Sequence, residues 1–374
     1  MRSLLTLLYL LLAFRISGDP VSPVLELGSD GYLHWSDTHE RFVMVEANSP
    51  ENRLALLDSD PEEAYRQLDF LAANGVNTIY FTVYGGDDTS IFLDDGDVDR
   101  YRAYMQYWTF AVWAFQGRPG VSHIVLGEQE NHHLLNDQQR AALFSRAMTM
   151  ANGLPAIFLL GEEITQRVGV AYVRKWCAFL RSESPGLYGA PAIISLHNEL
   201  HWRPWTGLQN EDVFDLIAFQ GTVEQARDEL PATFATFMSA GRPVAIYNSE
   251  IANASCGIPA SDPLDGSSGN LEVGLEWVWC NWQISSGFGF YAGYEGGCPD
   301  GCGDLDCPHP EIHQTLYRHA ATSARVIADG GGPEIAVNLG VPVPKTNDVP
   351  SFIGDRNDDG IVDVADHISR VLGQ

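Results

Sequence analysis

Basic residues are scarce in this chain of 374 residues: 22 Lys+Arg stand against 49 Asp+Glu, for a formal net charge of −27. Binding to nucleic acid draws on clustered cations, so no nucleic-acid partner is expected. A neutral or cationic partner suits such a surface better. Charged residues make up only 19 % while hydrophobic ones reach 45 %, a balance that argues for a packed chain and against disorder. Long apolar runs are missing beyond the extreme N-terminus, so no membrane span is expected in the mature form. Several motifs are also missing. No Gly-x-Gly-x-x-Gly follows the first strand-like run, which weakens a dinucleotide-binding fold. No Gly-x-Ser-x-Gly surrounds Ser249, which disfavours a serine hydrolase. No His-rich ligand set recurs at matched strand ends, so no catalytic cofactor is expected.

The termini carry what the body lacks. Arg2 precedes an almost unbroken apolar run from Leu4 to Phe14, with small residues at Ser17-Gly18. This pattern predicts a secretory signal peptide over 1–18 and a secreted or cell-surface protein. A retained anchor is the alternative, because Arg15 falls in the cleavage region. Export suits the six cysteines, which predict up to three disulfides without fixing their pairing. Cys298, Cys302 and Cys307 crowd one Gly/Asp-rich segment, where a disulfide-stapled loop fits better than zinc. Near the C-terminus, residues 355–366 space oxygen donors as a calcium loop does. Asp355, Asn357 and Asp359 stand at positions 1, 3 and 5, and Gly360 at the sharp turn. The Ile361 carbonyl, Asp363 and Asp366 follow at positions 7, 9 and 12. The last ligand is Asp where a full EF-hand has Glu.

Between the ends, apolar strand-like runs alternate with helical patterns. The runs are 42–46, 76–84, 121–126, 156–160, 192–196, 216–219, 244–247 and 288–291. Helical patterns cover Pro61 to Ala73, Asp137 to Ala151, Val170 to Arg181 and Leu271 to Ile284. Asn136 reads as an N-cap, and Trp277, Trp279 and Trp282 lie at the helical spacing of core residues. Eight strands separated by helices predict a parallel α/β sheet closed into a (β/α)8 TIM barrel over 19–328, with an open doubly wound sheet as the alternative. Residues 329–350 read as a linker or a small β appendage, and 351–374 as a short EF-hand-like calcium module.

Barrel enzymes place their chemistry at the carboxyl ends of the strands. There the sequence offers Glu46, Tyr84, Glu130-Asn131, Glu162-Glu163, His197-Asn198-Glu199, Gln220, Tyr247 with Glu250, and Tyr294. Trp202 and Trp205 are candidates for a stacking platform, and His132-His133 for substrate contacts or metal ligands. Carboxylates recur at most of these ends, and aromatic residues lie among them. A pair of carboxyls facing one another is what glycoside hydrolysis needs: one protonates the leaving oxygen while the other attacks or activates water. The acid needs a raised pKa, which burial and like charge supply.

Three segments carry a resemblance. They are Phe158-Leu-Leu-Gly-Glu-Glu163, Phe214-Asp-Leu-Ile-Ala-Phe-Gln220 and Arg242-Pro-Val-Ala-Ile-Tyr-Asn-Ser-Glu250. In this order they resemble a clan A glycoside hydrolase barrel. More closely they are similar to bacterial glycoside hydrolases long filed as domains of unknown function, a group that includes apiosidase-like enzymes. That resemblance implies an acid/base at the end of strand four and a nucleophile at the end of strand seven, hence Glu163 and Glu250. From their places at the strand ends, Glu46, Tyr84, Glu130, Asn131, His197, Asn198, Glu199, Gln220, Tyr247 and Tyr294 are the expected substrate contacts. The clan usually has Asn before the acid, and here Glu162 holds that place, so Glu162 and the Asn198-Glu199 pair stay open as alternatives. The implied function is secreted O-glycoside hydrolysis, with retention, on a poly- or oligosaccharide. A non-catalytic barrel that binds carbohydrate or docks on the cell surface is the alternative. The loop 355–366 with the helix pattern after it resembles one half of a dockerin repeat. That implies structural Ca²⁺ and a cohesin-like or cell-surface partner.

Overall fold

Alternation within the apolar runs decides which side chains meet inside and which meet the helices. A computed structural model describes residues 23–48, 56–83, 95–127, 135–199, 201–221, 223–250, 275, 278–291 and 310–343. Three short strands come first: β1 (Leu25–Leu27), β2 (Leu33–Trp35) and β3 (Arg41–Phe42), paired antiparallel in that order. Eight parallel strands then close a barrel. They are β4 (Met44–Asn48), β5 (Thr78–Thr82), β6 (Val121–Val125), β7 (Ala156–Leu159), β8 (Ile193–His197), β9 (Leu216–Gln220), β10 (Ala245–Glu250) and β11 (Ser285–Tyr291). The fold is the expected (β/α)8 barrel.

The strands are buried on both faces, with successive side chains pointing to opposite sides. Val45, Ile79, Ile124, Phe158, Ile194, Ile217 and Ile246 belong to the large core shared with the helices. Met44, Val121, Ile157, Ile193, Leu216 and Ala245, at the starts of their strands, form a second cluster with Leu25, Leu33, Trp35 and Phe42. The small antiparallel sheet therefore packs against the amino-terminal mouth of the barrel. The carboxyl-terminal rim is left for chemistry.

Helices lie in several crossovers, α1 (Pro61–Ala73), α2 (Asp95–Gln116), α3 (Asp137–Met150), α4 (Gly169–Leu187) and α5 (Val223–Ser239), and α6 (Pro310–Ala328) follows the last strand. Helix α1 starts where Asp60 accepts from the Glu63 amide ahead of Pro61, which needs no amide partner of its own. At α3 the Asn136 side chain accepts from the Gln139 amide and the Gln139 side chain answers at the Asn136 amide, a reciprocal cap. The aromatic segment around Tyr101 to Phe115 is part of α2. Its Trp108 is fully buried and donates from Nε1 to the Val121 carbonyl. Trp279 is buried and meets Trp282 edge-on at 6.2 Å, as a core pair would.

Three sequence expectations change. Phe42 belongs to β3, so the first barrel strand begins at Met44 and Glu46 lies in its middle. Pro333–Asn338 form a helix (α7) whose Ala336 is buried in the main core, so this stretch is neither a β appendage nor a loose linker. Cys177 is a buried free thiol, so the six cysteines do not form three bridges. Cys177 lies on the buried face of the helix Gly169–Leu187, in the apolar core, where burial pushes its thiol up and keeps it neutral. The signal segment, the Cys298–Cys307 cluster and the calcium loop lie outside the described residues. No described helix is long and apolar enough to cross a membrane.

Candidate active site

Glu163 follows β7 at the rim and stands in a left-handed backbone conformation, with φ of 44°. Such a conformation is uncommon for a residue with a Cβ and persists where surrounding contacts enforce it. Here β8 enforces it. The Glu163 amide donates to His197 Nδ1 at 2.9 Å, and the next amide, of Ile164, donates to the His197 carbonyl at 3.2 Å. On the other side the Glu162 amide donates to the Gly127 carbonyl at 2.8 Å. The turn carrying Glu162 and Glu163 is thus pinned from both neighbouring strands.

The Glu163 carboxyl is half-buried, and its Oε1 accepts from Gln220 Nε2 at 2.7 Å. Burial pushes its pKa above the ordinary carboxylate range. The Gln220 donation opposes that shift, and repulsion from Glu199 adds to it. A carboxyl held partly out of water, beside a second carboxylate, retains its proton at higher pH than a free one.

Gln220 in turn is held by Asn198. The Gln220 amide donates to Asn198 Oδ1 at 2.8 Å, and Asn198 Nδ2 donates to the Gln220 carbonyl at 2.9 Å and to the Glu199 carbonyl at 2.8 Å. Gln220 pairs in register with Glu250 of β10, after an irregularity between Asn248 and Glu250. Adjacent strands lie about 4.8 Å apart. The Glu250 backbone is therefore one strand from the residue that holds Glu163; its side chain lies outside the described residues.

His197 is fully buried and its ring is spent within the protein. With Nδ1 accepting from an amide, the proton sits on Nε2, which donates to Ser249 Oγ at 2.8 Å; that hydroxyl donates on to the Phe219 carbonyl at 2.9 Å. Burial, with a smaller push from His123, lowers the His197 pKa from 6.5 to about 3, so the imidazole is neutral.

Deeper in the barrel, Glu46 is fully buried between two partners. Its Oε2 meets His123 Nδ1 at 2.7 Å and its Oε1 accepts from Tyr247 OH at 2.6 Å. The His123 ring also meets Tyr80 and Tyr247 edge-on, at 5.4 and 5.7 Å between centroids. The β11 backbone crosses closely here: a Cβ on Gly289 would stand 2.2 Å from the Ser249 carbonyl oxygen and 3.2 Å from Glu46 Oε1. Gly289→Ala is therefore expected to cost about 1–3 kcal/mol by overpacking, read by urea denaturation.

The structure brings together Glu163, Gln220, Asn198 and His197, with Glu199 near enough to act on Glu163 electrostatically. It corrects several expected roles. Glu46 and Tyr247 do not stand free at the rim, because both strands extend past them; they bond each other inside the barrel. His197 and Asn198 do not offer free polar groups to a sugar, since both are buried and bonded to protein. Gln220 is buried and grips Glu163. Trp205 is 3 % exposed and cannot be a stacking surface, while Trp202 packs partly buried against the core. Tyr84, Glu130, Asn131, His132, His133 and Tyr294 lie outside the described residues. Sequence reasoning passed over His123, although its phase within Val121-Ser-His-Ile-Val125 matches that of the inward-facing Val121 and Val125.

A closed parallel barrel with carboxylates on its carboxyl-terminal rim defines the class: a (β/α)8 protein. The chain matches no family model and no curated protein. Among solved structures it is similar to a glycoside hydrolase family 5 mannosidase from Rhizomucor miehei, at 11% identity and TM-score 0.56 over 83% of this chain and 100% of that one. It is also similar to a β-1,4-D-mannanase from Cryptopygus antarcticus, at 10% identity and TM-score 0.51 over 81% of this chain and 95% of that one. An exo-β-1,4-mannosidase from Opitutaceae bacterium strain TAV5 shares 16% identity and TM-score 0.50, over 84% of this chain and 62% of its own. At these identities the likeness establishes the barrel.

Proposed function

We propose that this chain is an exported glycoside hydrolase that cleaves O-glycosidic bonds with retention, with Glu163 as acid/base and Glu250 as nucleophile. The observation that carries the reading is the state of Glu163: half-buried, raised in pKa, and gripped by Gln220, which pairs with the Glu250 backbone on the next strand. In the first step Glu163 gives its proton to the leaving glycosidic oxygen while Glu250 bonds to the anomeric carbon. In the second, Glu163, now a carboxylate, takes a proton from water as that water displaces Glu250. The acidic chain favours a neutral sugar. The barrel relatives act on mannosides and mannans, so β-linked mannose oligosaccharides head the candidate substrates. The export segment 1–18 and a structural Ca²⁺ at Asp355, Asn357, Asp359, Ile361, Asp363 and Asp366 complete the proposal from sequence. A cohesin-like or cell-surface partner for that module belongs with it.

The test is a panel of aryl glycosides and neutral polysaccharides, mannans included, with the product anomer followed by NMR. Hydrolysis with retained configuration supports the proposal. A folded protein that binds saccharides without cleaving any of them supports the non-catalytic alternative.

The pKa of Glu163 sets the alkaline limb of activity, since the first step needs its proton. Gln220→Ala removes a bond to the carboxylate, so the pKa is expected to rise and the limb to move to higher pH. Glu199→Gln removes a repelling charge, so the pKa is expected to fall and the limb to move to lower pH. Profiles of kcat/KM against pH check both directions; shifts of the same sign would contradict the assignment.

A further inference from the structure

The geometry points to His197 as a positioning residue that, in its neutral Nε2–H form, fixes the backbone of Glu163 and ties it to the strand that bears Glu250. This rests on the catalytic reading of those two residues and adds the part that sets their relative placement. Three observations carry it. First, Glu163 holds φ of 44°, and the acceptor that meets its amide there is His197 Nδ1 at 2.9 Å. Second, the His197 backbone takes the following amide, of Ile164, at 3.2 Å, so a single residue grips the turn at two successive amides. Third, the far side of the ring donates to Ser249 Oγ at 2.8 Å, and Ser249 immediately precedes Glu250. The ring spans the space between the turn after β7 and the end of β10.

The chemistry of this strut selects one protonation state. An amide N–H needs a lone pair, so Nδ1 must be unprotonated. The Ser249 hydroxyl already donates to the Phe219 carbonyl at 2.9 Å, so it accepts from Nε2–H. Full burial keeps the ring neutral, and the titratable groups that bear on the strut are Glu163 itself, Glu199 beside it and His123 deeper in the barrel. An imidazolium would set a donor against the Glu163 amide and release the turn. A small displacement of a catalytic group is enough to lower turnover by about 10²-fold.

Two near-isosteric variants separate the two ends of the ring. His197→Asn keeps an acceptor near the place of Nδ1, and His197→Gln keeps a polar group near the place of Nε2 but loses the acceptor. The asparagine variant is expected to hold kcat within about 10-fold of the parent, and the glutamine variant to lose about 10²-fold in kcat with KM nearly unchanged. With its turn released toward water, Glu163 in the glutamine variant is also expected to titrate lower. That shift is read from the alkaline limb of kcat/KM and, without any turnover, from the ¹³C resonance of the Glu163 carboxyl. Equal losses in both variants that follow their melting temperatures, or no shift of the Glu163 titration in the glutamine variant, would overturn the inference. In the unaltered protein the ¹⁵N spectrum of the ring should show the Nε2–H tautomer; the Nδ1–H tautomer or an imidazolium at neutral pH would overturn it even where neither variant folds. A protein that hydrolyses nothing, yet shows the Glu163 titration moving in the glutamine variant alone, would sink the catalytic reading and leave the positioning role standing.

Discussion

Glu250→Gln is expected to leave a folded barrel whose turnover of any cleaved glycoside falls by about 10⁴- to 10⁶-fold, the scale seen when a covalent nucleophile is removed. The amide preserves shape and hydrogen bonding but cannot bond to the anomeric carbon. Glu163→Gln is expected to lose less, about 10²- to 10⁴-fold, because a good leaving group partly dispenses with the acid. Alanine variants assign the roles. Azide can enter the space left by either carboxyl and replace its function on an activated aryl glycoside. The product should be a glycosyl azide of retained configuration from Glu163→Ala and of inverted configuration from Glu250→Ala. If rescue with retention came instead from Glu162→Ala or Glu199→Ala, the acid would be that residue. Unchanged turnover in Glu250→Gln would remove the proposed nucleophile altogether.

The second large effect concerns stability. Glu46→Ala should cost about 3–5 kcal/mol, because it strips a buried acceptor from both His123 and Tyr247. In melting temperature that is a fall of roughly 10 °C. Tyr247→Phe removes one donor and keeps the Glu46–His123 contact, so about 1–3 kcal/mol is expected. Denaturant unfolding of the two variants checks the order. A Glu46→Ala protein as stable as the parent would mean that water enters the barrel and replaces the lost carboxylate.

The architecture was legible because two periodicities alternate along the chain. Eight apolar runs with helical patterns between them left few topologies besides a closed barrel, and the Asn136 cap fixed one helix start to the residue. Strand ends were less legible. A barrel strand is buried on both faces, so its sequence is an almost continuous apolar run with little polar alternation to mark the phase. Hence Phe42 was joined to the barrel although it closes a separate small sheet, and Glu46 was placed at a strand end although it lies inside one. The same cause moved Tyr247 from the rim to the interior.

Within the site, the positions of Glu162 and Glu163 after the fourth barrel strand and of Glu250 on the seventh could be read from order along the chain. The roles of their neighbours could not. His197 lies 34 residues from the amide it binds and 52 from the hydroxyl it serves. A histidine at a strand end reads equally well as a sugar contact, and only the fold shows both of its nitrogens engaged. Asn198 and Gln220 were misjudged for the same reason: each spends its amide on the other's backbone or on Glu163.

The distance between the Glu163 and Glu250 carboxyl groups in a crystal of the purified protein tests the central claim most directly, and it needs no knowledge of the substrate. A retaining two-carboxylate site requires about 5–5.5 Å, and that is the expected value. A separation of about 6.5–9.5 Å would replace retention by inversion. A Glu250 carboxyl turned away from the rim, beyond reach of a sugar held by Glu163, would contradict the account.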